Sequence, residues 1–176
     1  MRYIFILFCV FYACSNDSQE IKEFIEIENL PVEEITEAEI IHTENGILKL
    51  KIIANTINRF EDIQPQIVFS NGVKVFFYND LGVVESVLEA VHAEVDESHN
   101  IMTASEDVIL ISSEGKKLET EELIWDEKKN KIYTEKKVII TTDKEIVEGQ
   151  GFTSTPDFSR YSIANIQGTF NFEPPN

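Results

Sequence analysis

The chain has 176 residues, of which 43% are hydrophobic, and its 32 acidic residues outnumber 15 Lys and Arg to give a net charge of −17. This length suits one domain with a tail, and the apolar share argues against a globally disordered chain. The acidic balance disfavours nucleic acid and polybasic membrane contact, because both depend on basic side chains that meet phosphate groups.

An apolar run from Ile4 to Ala13 follows Arg2 at the N-terminus. The run is too short to cross a bilayer, which needs roughly 20 residues, but it suits the apolar region of a secretory signal. Ala13 directly before Cys14 resembles a bacterial lipobox, in which the cysteine becomes the lipidated first residue. We predict a lipoprotein-type signal peptide over residues 1–13 and a lipid on Cys14. An ordinary cleavage site and an uncleaved anchor are the alternatives.

Residues 14–37 form an acidic stretch with scattered apolar side chains and Pro31 in its middle. This composition predicts a tether that leads into the first strand and lets the domain stand off from a membrane. The mature protein would have no thiol for a disulfide, because Cys9 would leave with the signal and Cys14 would carry lipid.

Short β-branched runs separated by turn signals continue to Phe172 and predict an all-β domain over residues 38–173. The Asn45-Gly46 pair predicts a hairpin turn inside the segment 38–58. Ser70-Asn71-Gly72 predicts a further turn, and Val83 to Val95 predicts a single strand. No stretch after residue 35 has the 3.6-residue period of a helix.

One unit occurs twice at a spacing of about 30 residues. The first copy contains Val95-Asp96-Glu97 and Asn100, and the second contains Trp125-Asp126-Glu127 and Asn130 in the same positions. A fainter copy begins at Val73. Such self-similarity is typical of stacked supersecondary units, here with two short strands and two turns each.

Both faces of the repeated strands are apolar. Leu110 and Ile140 represent one face, and Ile109 and Ile139 represent the other. A half-solvated sheet would alternate more cleanly, so either a second layer covers the other face or one face lines an apolar groove. Free strand edges in an open stack would also be able to pair with partner chains.

The sequence contains no convincing catalytic or metal-binding pattern. The three histidines have no metal-ligand spacing with a cysteine, and His92 with Glu94 is typical of a structural pair. Gly149-Gln150-Gly151 lacks the lysine of a phosphate loop, and its glycines predict a bulge or a close backbone approach instead. We therefore predict a protein that is not an enzyme and has no cofactor and no metal.

Three motifs occur together in this chain: Phe77–Asp80 with Gly82, Leu118–Asp126 and Gly149–Phe152. Together they resemble the LptC family, the periplasmic component of the lipopolysaccharide export machine. The resemblance covers about residues 38–170 and extends to the bridge protein LptA and to the N-terminal part of LptD. It implies an antiparallel, two-sheet β-jellyroll-like open sandwich of the OstA/LptA type, with the acyl chains of lipopolysaccharide between the sheets.

The resemblance also implies a function and partners. A non-enzymatic component would take lipopolysaccharide from the inner-membrane ABC transporter and pass it along a β-jellyroll bridge toward the outer membrane. The N-terminal strand edge would dock on LptF/LptG-like subunits, and the C-terminal edge would hand on to an LptA-like protein. Many family members are held by one transmembrane helix, whereas the lipobox of this chain implies a lipid anchor at Cys14, in the inner membrane on the periplasmic side.

The expected lipid groove consists of apolar residues on the strands. They are Val75, Phe77, Leu88, Met102, Val108, Leu110, Leu118, Leu123, Ile132, Val138, Ile140 and Phe152. Plain core packing is the alternative for every one of them. For the whole chain, the alternatives are a structural or ligand-binding cell-envelope lipoprotein without lipid transfer, and a carbohydrate-binding or hydrolytic β-sandwich.

Overall fold

Ten β-strands joined by turns make up residues 30–61 and 63–167, which the computed structural model describes. The strands are β1 Glu33–Glu44, β2 Ile47–Arg59, β3 Ile67–Tyr78, β4 Val84–Ala90, β5 His92–Asp96, β6 Ile101–Ser112, β7 Lys117–Asp126, β8 Lys131–Thr141, β9 Ile146–Ser154 and β10 Tyr161–Gln167. All pairs are antiparallel, in the order β1-β2-β3-β4-β6-β7-β8-β9-β10, while β5 pairs with β3 and β6. The predicted all-β fold is confirmed. No helix within the described residues is long and apolar enough to cross a membrane.

The β1–β2 hairpin confirms the prediction made from Asn45-Gly46. Both residues have positive φ, 51° and 79°, as the tight turn between twisted antiparallel strands requires. Strand β1 begins at Glu33, so residues 33–37, which the sequence pattern assigned to the tether, belong to the first strand. The predicted signal peptide over residues 1–13 and the lipidation site Cys14 lie outside the described residues.

A line of irregular positions crosses the sheet near the middle of its strands. Between β4 and β5 it falls at Val91, which accepts a hydrogen bond from Gly72 N–H (2.9 Å) and donates one to Glu106 O (3.0 Å). Bulges bend strands, so we call this line the corner. Its positions are Asn55, Asn71–Gly72, Val91, Glu106–Asp107, Glu121–Glu122, Glu135–Lys136 and Gly151.

The corner divides the sheet into two halves, which we name the β4 half and the β5 half after the strands they contain. The long strands contribute to both: β3 pairs with β4 through Val73–Tyr78 and with β5 through Ile67–Phe69. The ladder nevertheless stays continuous across the corner. The two layers expected of a sandwich are therefore the two halves of one hydrogen-bonded sheet.

Contacts far from the corner show that the two halves face each other. The rings of Phe77 in the β4 half and Trp125 in the β5 half meet edge to face, with 5.4 Å between centroids. His42 Nε2, near the end of β1, lies 3.7 Å from Glu127 Oε1, just after β7. Strands β3 and β7 are not neighbours in the sheet, so the sheet has folded over on itself.

The space between the halves holds the hydrophobic core, and alternate residues of each strand point into it. The corner bulges keep this alternation correct on both sides. In β9, Val147 and Gly149 are buried before the bulge at Gly151 (φ 83°), and Phe152 and Ser154 are buried after it. In β9 one extra residue thus lets both halves direct their buried residues to one interior, which we call the inner face.

Candidate functional site

All twelve residues predicted for the lipid groove lie on the inner face, within one core cluster. None is more than 6% exposed, and Leu110, Leu118 and Ile140 are fully buried. In this conformation they pack against one another, because the halves are closed over them. Their role in holding lipid stays a prediction.

The inner face is uncovered at the first edge of the sheet. Ile35 and Ile40 in β1 stand directly opposite Ile57 and Ile52 in β2, and opposed residues share a face. Ile57 and Ile52 are only 5% and 7% exposed, whereas Ile35 and Ile40 are 41% and 37% exposed. The apolar interior therefore continues to the edge strand and meets solvent there.

A pocket of about 330 Å³ marks this opening. Ile35, Ile40, Ile57 and Ile67 supply much of its apolar wall, and charged side chains such as Arg59 also line it. A concave apolar surface with charged groups around it is suited to the end of an aliphatic chain. The structure thus adds a region that the predicted groove did not include.

The sequence pattern missed the inner face of β1 because its apolar residues do not follow a two-residue period. Glu37 has φ 54°, an irregularity opposite the corner position Asn55. As a result Ile35 and Ala38 face the same side although they are three residues apart. The alternation of Ala38 and Ile40, compared with the pattern of the hairpin partner β2, could have identified the inner face of β1.

The second edge, β10, is more nearly sealed. Phe158 and Tyr161 pack on Phe152, with ring centroids 5.6 Å and 6.1 Å from that of Phe152, and their own centroids are 5.4 Å apart. A Cβ on Gly149 would lie 2.9 Å from the carbonyl oxygen of Asn165, so β9 and β10 approach each other closely there. This confirms the close approach predicted for the glycines. Beyond it, Ile166 opposite Gly149 is 48% exposed on the inner face.

The two copies of the repeat form the same turn twice, at the rim of the β5 half. Asp96 Oδ1 accepts the His99 backbone N–H at 3.1 Å, and Asp126 Oδ1 accepts the Lys129 backbone N–H at 3.0 Å. Side-chain hydrogen bonds from His99 and Lys129 lower the pKa of their aspartates below the ordinary value. Each turn ends at an asparagine with positive φ, Asn100 (59°) and Asn130 (49°).

A folded antiparallel sheet whose apolar inner face opens at its edge strands defines a β-jellyroll-like protein. A family model described as "Lipopolysaccharide-assembly, LptC-related" matches residues 3–163. The chain belongs to this family, and it is a non-enzymatic component of lipopolysaccharide transport. None of the curated proteins compared with the chain matches it.

The family match confirms the resemblance read from the motifs and the absence of enzyme function, and the ten antiparallel strands confirm the fold class. It gives the chain lipopolysaccharide and the export complex as partners in general, and a location at the cell envelope. The lipoprotein-type prediction for Cys14 is not borne out by it. The match does not identify the individual partner subunits or the direction of transfer.

Proposed function

We propose that the chain takes lipopolysaccharide from the inner-membrane ABC transporter and passes it along a β-jellyroll bridge toward the outer membrane. Acyl chains lie between the β4 half and the β5 half. The observation that carries this proposal is the uncovered inner face of β1, where Ile35 and Ile40 leave the apolar interior open to solvent. An interior that serves only as a core gains nothing from such an opening.

Apolar burial supplies the affinity. Each Å² of acyl chain removed from water contributes roughly 25 cal/mol. The protein carries a net charge of −17, which repels phosphate, so the head group of the lipid stays outside. The closed core opens by rotation of the two halves about the corner, and its twelve predicted groove residues then line the acyl chains.

The two edge strands join the chain to its neighbours. Among the described residues β1 pairs only with β2, and β10 pairs only with β9, so each leaves one row of backbone donors and acceptors for another strand. A strand added there continues the sheet and its apolar interior together. LptF/LptG-like subunits dock on β1, and an LptA-like bridge protein docks on β10.

A lipid on Cys14 anchors the chain to the inner membrane on its periplasmic side. The support for this part is the apolar run from Ile4 to Ala13 before the cysteine. Acyl chains contribute about 0.8 kcal/mol for each CH₂ that enters the bilayer. The acidic segment that follows Cys14 then serves as the tether that its composition predicts.

An export assay with two neighbouring substitutions tests the proposed function. Ile40→Asp places a charge on the inner face of β1, and Ile41→Asp places the same charge on the outer face, opposite Lys51. Export of lipopolysaccharide falls strongly with Ile40→Asp and stays near the wild-type level with Ile41→Asp, while circular dichroism shows both proteins folded. Normal export with both variants would contradict the proposed function. It would favour the alternative, a structural or ligand-binding envelope protein without lipid transfer.

A further inference from the structure

Three metal-ligating side chains meet at the rim where the two halves approach each other. His42 and Glu44 belong to the end of β1, and Glu127 belongs to the turn between β7 and β8 in the opposite half. One ligand atom from each residue lies within 4.8 Å of the other two. The separation between His42 Nε2 and Glu127 Oε1 is 3.7 Å.

The 3.7 Å distance between His42 and Glu127 is close to the spacing of ligand atoms around a tetrahedral cation. Ligand atoms at 2.0–2.2 Å from Zn²⁺ lie about 3.4 Å from one another. All three side chains are at least partly exposed, so neighbouring groups leave them room to change rotamer toward this spacing. One imidazole nitrogen and two carboxylate oxygens suit Zn²⁺ and similar divalent ions, with water in the remaining position.

The surroundings also favour a cation. Asn100 Nδ2 donates a 2.9 Å hydrogen bond to Glu127 Oε2, and this contact orients the carboxylate so that Oε1 is directed to His42. The pocket at this rim has a volume of about 600 Å³. Its lining carries five carboxylates against two basic side chains, and one of these, Lys49, is already paired with Asp80. Negative charge thus exceeds positive charge around the three ligands.

We propose that His42, Glu44 and Glu127 bind one divalent cation of the Zn²⁺ class. The cation clasps the end of β1 to the opposite half of the sheet. His42 and Glu44 are close neighbours in the sequence but Glu127 is distant from both, so a search by ligand spacing did not detect the three together. This site goes beyond lipid transport, and its binding is measured without lipid.

Isothermal titration of the full-length chain with ZnCl₂ tests the site. Every protein in the series carries Cys9→Ser and Cys14→Ser, so that no thiol competes for the metal. We expect one Zn²⁺ per chain, with binding weakened about tenfold or more by His42→Ala and by Glu127→Gln. His99→Ala is the matched control, because His99 pairs with Asp96 outside the cluster, and it keeps wild-type binding. Absence of one-to-one binding, or wild-type affinity in His42→Ala, would overturn the proposal.

Hydrogen exchange separates a clasp from simple binding. Zn²⁺ slows exchange of the β1 backbone amides in the wild-type chain and leaves it unchanged in His42→Ala. The amides of β8 serve as an internal reference, since they lie in the middle of the sheet. One-to-one binding without slower exchange in β1 would overturn the clasp and leave a cation site that does not hold the strand.

Discussion

The middle strands and the first edge strand present the same apolar inner face, yet only the middle is closed. Leu110 in β6 and Ile140 in β8 are fully buried, whereas Ile40 in β1 is 37% exposed. A middle strand has a neighbour on each side and the opposite half above it, while β1 has one neighbour. Both regions direct aliphatic side chains to the inner face, so position in the sheet decides where the interior is accessible. Access for an apolar ligand is therefore expected at the edges.

The two edges differ from each other as well. Strand β10 is packed by the aromatic group around Phe158, and mainly Ile166 remains exposed on its inner side. Strand β1 exposes Ile35 and Ile40 and carries several glutamates, which keep a bare strand edge from aggregating. The N-terminal edge is thus the more open of the two in this conformation. The open inner face of β1 agrees with ligand entry at that edge, as the proposed direction of transfer requires.

The largest expected loss of stability comes from a substitution in the closed region. Leu110→Ala leaves a cavity in a fully buried site and lowers the free energy of unfolding by about 2–5 kcal/mol. Ile40→Ala removes a side chain of the same size from the open region, with a loss below about 1 kcal/mol. Urea unfolding measures both. Equal losses would mean that β1 is covered in solution and that the contrast between the regions is wrong.

The next effect concerns the contact between β9 and β10. Gly149→Ala brings its Cβ to 2.3 Å from Ile163 Cγ2 and 2.9 Å from Asn165 O, so β10 has to move. We expect a loss of about 1–3 kcal/mol in thermal or urea unfolding. Gln150→Ala, at the exposed neighbouring position, is the control and changes stability little. A stability of Gly149→Ala equal to that of the control would show that β10 does not approach β9 as closely as described.

Acid weakens the repeated turns at the rim of the β5 half. In the folded protein, hydrogen bonds from Lys129 lower the pKa of Asp126 below its ordinary value of 3.8. A group with a lowered folded pKa stabilises fully above its unfolded pKa, and this stabilisation disappears as the pH falls through the folded pKa. Unfolding measured from about pH 5 to about pH 2 should therefore show less pH dependence in Asp126→Asn than in the wild type. Identical pH profiles would exclude a contribution from this turn.

The smallest effect is expected on the outer face. Lys137 and Glu148 form a 2.8 Å ion pair in which both side chains are largely exposed. Such pairs contribute between zero and about 1 kcal/mol, because water screens them. Lys137→Ala should change the urea midpoint only slightly, and high salt should reduce even this difference. A loss as large as that of Leu110→Ala would mean that the outer face is covered in the folded protein.

Local sequence signals predicted the parts of the fold that depend on neighbouring residues. The Asn45-Gly46 hairpin and the repeated turns after Asp96 and Asp126 form as expected, because their geometry comes from nearby side chains and backbone. The twelve predicted groove residues all lie on one face, since the alternation within each strand identifies that face. The all-β class follows from the same patterns.

The corner could not be predicted in this way. Asn71-Gly72 suggested a turn, but β3 continues through it, and the strand predicted over Val83 to Val95 is divided at Val91. The effect of a bulge in one strand on the sheet depends on the bulges in the neighbouring strands, and those strands are distant in sequence. For the same reason the sequence did not predict the inner face of β1 or the cluster of His42, Glu44 and Glu127. These features arise only when the sheet folds over.

Photo-crosslinking in living cells tests the central claim most directly, namely that the interior is a lipid path open at β1. One probe replaces Ile40, on the inner face, and a second replaces its neighbour Ile41, which is 59% exposed on the outer face. We predict an adduct with lipopolysaccharide at position 40 and none at position 41. Equal adducts at both positions, or none at either in a folded protein, would contradict the account.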